Sequence, residues 1–370
     1  MSGTPADPEK LVAGLFRIEE SFALPDGELE FRVAYGEETK RKFELLKGRV
    51  APLGLRPELT GSAEECVLTL RRTEAAKKKL SRLPVIFALF TTVAVVVSAL
   101  LQEGVYQELV PSWPYYPTLL AFGLSVAVLL GAHELGQRLM ARARDAGRAN
   151  SYWIPGVPFI PPFLPSLGFA TSQREPALNR DSLFDTVLAG PLVMLAFAVL
   201  LAAVGDVTAV QSSVPFASTN LINSTVVINA NAIQLAIGTV LGQFAHPIAS
   251  GYIAVSPLED GAVVGFILVF LSLLPMASYD GGILATVAWG QKAARAASYV
   301  SILALLVLDT WTYWGIAVIV LLLVGRPYQL KLEDEVSPLS ASRKWLFAGM
   351  IVLAFLCLPI PHNIATLPLR

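Results

Sequence analysis

The feature that most constrains this chain is a series of apolar runs, each of them a candidate for crossing a lipid bilayer. They lie at residues 83–101, 117–140, 183–204, 261–274 and 345–358. A helix of about 20 apolar residues spans the hydrocarbon core of a bilayer. Only 15% of the 370 residues are charged, whereas a soluble domain carries about a quarter. The sequence therefore predicts an all-α polytopic membrane protein.

One further apolar region, residues 296–324, is long enough to cross either once or twice. Loops rich in Lys and Arg stay on the cytoplasmic side of a membrane. Two segments carry neither residue, 102–116 and 205–257, and three are basic, 138–182, 276–295 and 326–344. All basic segments share one side only if residues 296–324 cross twice and turn near Asp309. This predicts seven transmembrane helices with a cytoplasmic N-terminus and an outer C-terminus.

The first 82 residues have a different character and predict a small soluble α+β domain on the cytoplasmic side. Residues 29–35 alternate apolar and polar side chains as a half-buried strand does, and residues 66–70 predict a second strand. Residues 40–49 are basic and fit either a helix or a strand. No catalytic constellation is visible there, so we interpret this domain as accessory. A membrane domain at residues 83–360 and a C-terminal tail at 361–370 complete the predicted organisation.

Composition also limits the partners and the compartment. The formal net charge is −1, so there is no basic excess to neutralise phosphates, and nucleic acid is not expected as a partner. The polar first ten residues predict no cleavable signal peptide. The lipid bilayer is the expected surrounding, and we expect an integral protein of a prokaryotic cell membrane.

An ionisable pair lies inside the second predicted span, where residues 131–138 read GAHELGQR. Burying His133 and Glu134 in a membrane costs free energy, so such a pair is by default a functional-site hypothesis. The plain alternative is that the pair only marks the cytoplasmic end of the helix.

A second polar element follows the fourth span, where residues 272–282 read SLLPMASYDGG. Pro275 should end the helix, which would leave Asp280 on irregular backbone flanked by glycines. Irregular backbone at membrane depth survives where it lines a cavity or is buried in protein. The second and fourth spans both run inward, so Asp280 should lie at the depth of His133. An ordinary cytoplasmic Asp-Gly turn is the alternative.

These two elements together resemble the site-2 protease family of intramembrane zinc metalloproteases. The resemblance covers roughly residues 83–360 and includes the proline-rich residues 154–162, the sequence LAGP at 188–191 and the His-Pro pair at 246–247. These additional features are similar to the branch that contains the chloroplast members and their prokaryotic relatives, which also carries a soluble N-terminal domain.

The resemblance implies a zinc ion and a role for each matching residue. In the family motif His-Glu-x-x-His, two histidines one helical turn apart and a distant carboxylate bind zinc, and a fourth position stays open for water. Carried over, His133 and Asp280 are zinc ligands and Glu134 is the general base. The second histidine position holds Gln137. Ser272, Pro275 and Gly281 are implied to support the site around substrate.

Two of these positions depart from the family pattern. Gln137 replaces histidine, and an amide oxygen is a harder and weaker zinc ligand than imidazole. Ser272 stands where the family usually has asparagine, and His246 and His362 are placed on the outer side by the predicted topology. Three interpretations of Gln137 stay open: a weakened zinc site, a natural pseudoprotease, or an inactivating change.

The resemblance implies hydrolysis of a peptide bond in or near a transmembrane helix of a substrate protein. The alternative from the binding class is a pseudoprotease that holds membrane helices without cutting them. A transporter that relays protons through His133 and Asp280 is a third interpretation. The sequence has no evident internal repeat of the transporter kind.

Overall fold

The computed structural model describes residues 7–23, 28–73, 82–112, 115–147, 149–156, 158, 164–211, 231–245, 254–277, 279–307 and 329–358. Within these residues the protein is mostly helical, and a small sheet lies near the N-terminus.

Residues 7–73, which we call the N-terminal unit, form a four-stranded antiparallel sheet with two α-helices and a short 3-10 helix (Ala51–Leu53). The elements are α1 (Pro8–Ala13), β1 (Ile18–Ala23), β2 (Leu29–Val33), α2 (Thr39–Val50), β3 (Leu55–Gly61) and β4 (Cys66–Arg72), and the strand order is β1-β2-β4-β3. The strands predicted at 29–35 and 66–70 are confirmed as β2 and β4. The basic residues 40–49 are helical, because Phe43, Leu46 and Val50 share one buried face at helical spacing.

Eight helices of the described residues make up the remainder of the helical structure. They are α3 (Leu83–Leu109), α4 (Tyr115–Arg144), α5 (Arg180–Thr208), α6 (Ala232–Ala245), α7 (Pro257–Leu273), α8 (Asp280–Trp289), α9 (Gln291–Val307) and α10 (Ala341–Leu356). Among the described residues, α3, α5 and residues Pro117–Arg144 of α4 are long and apolar enough to cross a bilayer. These helices indicate a membrane protein. The count of seven spans stays a prediction, and the turn expected near Asp309 lies outside the described residues.

A β-hairpin interrupts the segment that the sequence assigned only as a basic cytoplasmic loop. In this hairpin, strand β5 (Ala149–Pro155) pairs antiparallel with β6 (Ser166–Gln173). Elsewhere in the chain, β7 (Val210–Gln211) and β8 (Ala254–Val255) form a separate antiparallel pair of two residues each. The β5–β6 hairpin packs against α3 and α7, and it lies beside the candidate site.

Helices α4, α5 and α7 pack closely because small residues lie at their contacts. A side chain at Gly136 of α4 would come within 2.7 Å of the carbonyl oxygen of Ala189 on α5. At Gly265 of α7, a Cβ atom would come within 2.9 Å of Ala198 on α5. Small residues allow membrane helices to approach at backbone distance, where van der Waals contact replaces the missing hydrophobic drive. This packing brings α4 and α7 together around the site.

Candidate metal centre

Helix α4 contributes two side chains to one buried face. His133 and Gln137 are one turn apart and are 0% and 6% exposed, whereas Leu135 and Leu139 are more than half exposed on the opposite side. Positions i and i+4 of a helix share a face, so the spacing alone dictates this arrangement. The face carrying His133 and Gln137 is therefore directed into the protein.

Asp280 comes from the junction of α7 and α8. Helix α7 ends at Leu273, just before Pro275, as the sequence predicted. The expectation of irregular backbone at Asp280 was wrong, because Asp280 is the first residue of α8. A helix N-terminus favours a carboxylate, since unpaired backbone N–H groups and the helix dipole both act on it. Asp280 is fully buried.

The carboxylate of Asp280 is the centre of a hydrogen-bond network. Its Oδ2 lies 2.7 Å from Nε2 of His133, and its Oδ1 accepts a bond of 3.0 Å from Nε2 of Gln137. The hydroxyl of Thr171 donates to the same Oδ1 at 3.2 Å. The structure thus brings together His133, Gln137 and Asp280, which lie up to 147 residues apart in sequence.

The β5–β6 hairpin supplies three side chains to the site that the sequence analysis did not identify. The ring of Phe169 stacks on the imidazole of His133, with centroids 3.6 Å apart and planes at 9°. Thr171 contacts Asp280, and Ser151 donates to Oε1 of Gln137 at 3.2 Å. Strand β6 reaches this place because Ala170 forms a β-bridge with Tyr279, next to Asp280. The short alternation in residues 166–173 was a weak signal for a strand.

Glu134 lies beside this network and does not belong to it. Its Oε1 accepts a bond of 2.7 Å from Nε of Arg138, one turn further along α4. Its Oε2 is buried, and no hydrogen-bond partner for that atom lies among the described residues. One oxygen of the carboxylate is therefore oriented by Arg138, and the other is left as an acceptor.

A glycine leaves space next to the imidazole. A Cβ atom at Gly190, in the LAGP sequence of α5, would come within 2.7 Å of Nε2 of His133 and 2.8 Å of Cγ of Gln137. A side chain at residue 190 would therefore occupy the position next to Nε2 of His133, and glycine keeps that position clear. The LAGP sequence contributed to the family resemblance, and its glycine is required here because any side chain would collide with His133 and Gln137.

The three predicted support residues lie near the α7–α8 junction. A Cβ atom at Gly281 would collide with the carbonyl oxygens of Leu273 and Leu274, so this turn needs glycine. The carbonyl of Pro275 accepts a bond of 3.0 Å from Ser298 of α9. The hydroxyl of Ser272 is fully buried without a partner among the described residues. Their roles toward substrate stay predictions, and His246 and His362 lie outside the described residues.

The donor set fits a divalent metal with two strong ligands and one weak one. His133 and Asp280 converge within hydrogen-bond distance, and Gly190 leaves room at Nε2. The NH₂ group of Gln137 donates to Asp280. The amide oxygen of Gln137 would therefore face a metal bound by His133 and Asp280 only after the amide group rotates by half a turn. The hydroxyl of Ser151 can accept as well as donate, so it satisfies either orientation. No group of three His, Cys, Asp or Glu side chains suited to a metal exists in the described part of the chain.

Comparison with known proteins assigns the family. The model of Peptidase family M50 matches residues 121–308, just over half of the chain, and this range contains His133, Glu134 and Asp280. Together with the three helices that are long and apolar enough to cross a bilayer, this match places the chain in the class of membrane peptidases. The chain belongs to peptidase family M50, the site-2 proteases.

Curated relatives agree with this family. The chain is 27% identical over 248 residues to the probable zinc metalloprotease EGY2, chloroplastic, of Arabidopsis thaliana. The aligned region covers 64% of this chain and 41% of that relative. It is 23% identical over 269 residues to the protein of the same name in Oryza sativa subsp. indica, covering 71% and 44%. The chain thus spans less than half the length of these relatives. No solved structure matches it.

Proposed function

We propose that this chain is an intramembrane zinc peptidase of the site-2 type whose metal site is weakened by Gln137. The observation that carries the proposal is the convergence of His133 and Asp280 at 2.7 Å, on helices that the family match includes. His133, Asp280 and Gln137 would hold the ion, with Gln137 through its amide oxygen. Bound zinc supplies a Lewis acid that polarises a peptide carbonyl and acidifies a water molecule.

The side chains around that position have separate tasks. Glu134 accepts a proton on Oε2, which has no hydrogen-bond partner among the described residues, while Arg138 keeps the carboxylate in place through Oε1. Thr171 orients Asp280, and Phe169 fixes the ring of His133 by stacking. Burial of the cluster limits access to water, which strengthens the electrostatic interactions inside it.

The proposed substrate is a transmembrane protein that is cut in or near its membrane helix. The apolar helices and the buried position of the site support this proposal. A peptide bond inside a helix is shielded, so the substrate must unwind locally before its carbonyl reaches the site. We also propose seven spans and a cytoplasmic N-terminal unit. The chloroplast is the location of the named relatives, and the prokaryotic cell membrane stays a prediction for this chain.

A second candidate function is that of a pseudoprotease which binds membrane helices without cutting them. The hydrogen bond from Nε2 of Gln137 to Asp280 favours it, since this network satisfies the carboxylate without a cation. A proton transporter is disfavoured because the chain belongs to a peptidase family.

Metal analysis of the purified chain beside Gln137→His tests the proposal. We expect the wild-type chain to bind zinc, and the variant to bind it roughly 10- to 100-fold more tightly, the range that single changes around a zinc site produce. Cleavage of a helical membrane substrate should rise in parallel. Glu134→Gln is the matched control, because it should keep zinc and lose cleavage.

The outcomes separate the two candidates. A wild-type chain without zinc at saturating concentration, but with substrate helices still bound, would support the pseudoprotease. If Gln137→His gains neither zinc affinity nor cleavage, the assignment of residue 137 to the ligand position is wrong.

A further inference from the structure

A short segment connects the N-terminal unit with the hairpin beside the candidate site. Residues 329–340, which we call the strap, precede α10 and lie between β3 on one side and residues 173–178 on the other. The strap forms parallel β-bridges on both sides, from Asp334 to Leu59 and from Leu332 to Ala177. It therefore acts as a middle strand between two parts of the protein that are far apart in sequence.

On the side of the N-terminal unit, the strap is held by main-chain bonds and by buried charge. The amide of Leu59 donates to the carbonyl of Glu333 at 2.6 Å, and the amide of Glu335 donates back to Leu59 at 2.9 Å. The side chain of Glu333 is only 6% exposed, and its oxygens lie 2.5 Å from Nζ of Lys47 and 3.0 Å from Nε of Arg56. Both cations belong to the N-terminal unit.

On the other side, the strap is bonded to the end of β6. The amide and carbonyl of Lys331 pair with the side chain of Gln173 at 3.0 and 3.1 Å, and the ammonium of Lys331 donates to the carbonyl of Gln173. The amide of Ala177 donates to Lys331 at 2.9 Å and its carbonyl accepts from Glu333 at 2.8 Å. Gln173 lies two residues after Thr171, which donates to Asp280.

We propose that the strap makes the N-terminal unit part of the framework that holds β6 against the candidate site. A buried carboxylate is tolerated only while its cationic partners are present. Glu333 therefore stays in place only while Lys47 and Arg56 are docked on it. When the N-terminal unit is displaced, the strap loosens, and with it the strand that carries Phe169 and Thr171.

Charge reversal on the strap tests this inference in the whole 370-residue chain in lipid nanodiscs. The change Glu333→Lys places a cation between Lys47 and Arg56, and Glu335→Lys is the matched control. Glu335 is exposed, and its side chain makes no ion pair within the described residues. We expect Glu333→Lys to speed amide hydrogen exchange roughly tenfold or more in the strap and in residues 169–173, because local opening sets that rate. Glu335→Lys should leave exchange in β6 unchanged.

A second variant keeps the test decisive if Glu333→Lys does not fold. Gln173→Ala removes the side-chain link from the β6 side and leaves the N-terminal unit intact. It should speed exchange in residues 169–173 and leave α2 and β3 at wild-type protection. Faster exchange in the strap with unchanged protection of β6, in either variant, would overturn the proposal. The readout needs neither zinc nor cleavage, so its result is independent of the proposed function.

Discussion

At the scale of single residues, Asp280 carries most of the hydrogen bonding in the candidate site. Its carboxylate is fully buried and is contacted by His133, Gln137 and Thr171. Hydrogen bonds from neighbouring side chains offset part of the free-energy cost of burying this carboxylate. Of these three partners, Thr171 was not identified by the sequence analysis, because it lies on strand β6 within a segment interpreted only as a basic loop.

The change Thr171→Val should weaken the site through Asp280 alone. Valine keeps the shape of threonine but cannot donate, so we expect a loss of about 1–3 kcal/mol in the free energy of unfolding. Zinc affinity should fall as well, because the ligand loses an orienting bond. Thermal unfolding in detergent and zinc titration measure the two effects.

Thr92→Val is the control for this change. Thr92 is exposed on α3 and bonds only to the carbonyl of Ala88 in its own helix. We expect an effect within about 0.5 kcal/mol. Equal effects of the two substitutions would mean that the bond from Thr171 to Asp280 does not stabilise the site.

At the scale of elements, the junction of α7 and α8 determines where Asp280 lies. Pro275 prevents α7 from continuing, and the glycines allow α8 to start immediately against the end of α7. The sequence was sufficient to predict the end of α7. It was not sufficient to predict the start of α8 at Asp280, because the helix begins where the chain packs against the carbonyls of Leu273 and Leu274.

Gly281→Ala should disturb this junction. Its new methyl group would meet the backbone of Leu273 and Leu274, which cannot move aside as a flexible side chain can. We expect a loss of at least about 1–3 kcal/mol in stability, together with weaker zinc binding, since Asp280 is the adjacent residue.

Gly349→Ala in α10 is the matched control. No atom lies within 4 Å of a Cβ built at that position, so alanine should be neutral or stabilise the helix by about 0.5–1 kcal/mol. If Gly281→Ala changes the stability no more than Gly349→Ala does, the steric role of Gly281 is refuted.

At the scale of the whole molecule, the N-terminal unit and the membrane helices are joined by more than the strap. Asn179, which caps α5, donates to Glu44 at 2.9 Å, and Lys40 lies 2.5 Å from Asp181. Lys47 also pairs with Asp145 at 2.6 Å. All three contacts are made by residues of α2. The basic character of this segment is visible in the sequence, but its partners are visible only in the structure.

Cys66 reports on this docking through its pKa. Burial, and to a lesser extent the charge of Asp334 on the strap, raise the pKa of the Cys66 thiol from 9.0 to about 11. The native state therefore holds the proton more tightly than the unfolded state. The resulting stabilisation is fully present below pH 9 and is lost as the pH rises from about 9 to about 11.

We expect alkylation of native Cys66 at pH 8 to be much slower than in the unfolded chain, and to rise steeply above pH 10. Asp334→Asn should lower the pKa of the thiol while keeping the turn bonds to Val336 and Ser337, which Oδ1 of asparagine can also accept. Native and unfolded chains that react equally fast at pH 8 would show that the thiol of Cys66 is not buried in the native state.

The sequence by itself determined the family of the protein and its long apolar helices. It also selected His133, Gln137 and Asp280 as candidate site residues, and the structure brings these three together. These follow from local rules: helical spacing puts His133 and Gln137 on one face, Pro275 ends a helix, and apolar length predicts a span. Only the tertiary structure decided how Gln137 is used, with its NH₂ group donating to Asp280. It alone brought Phe169 and Thr171 of β6 to the site, and joined Glu333 to Lys47. The reason is physical: these contacts join segments tens to hundreds of residues apart, and no local pattern specifies which buried polar groups will meet.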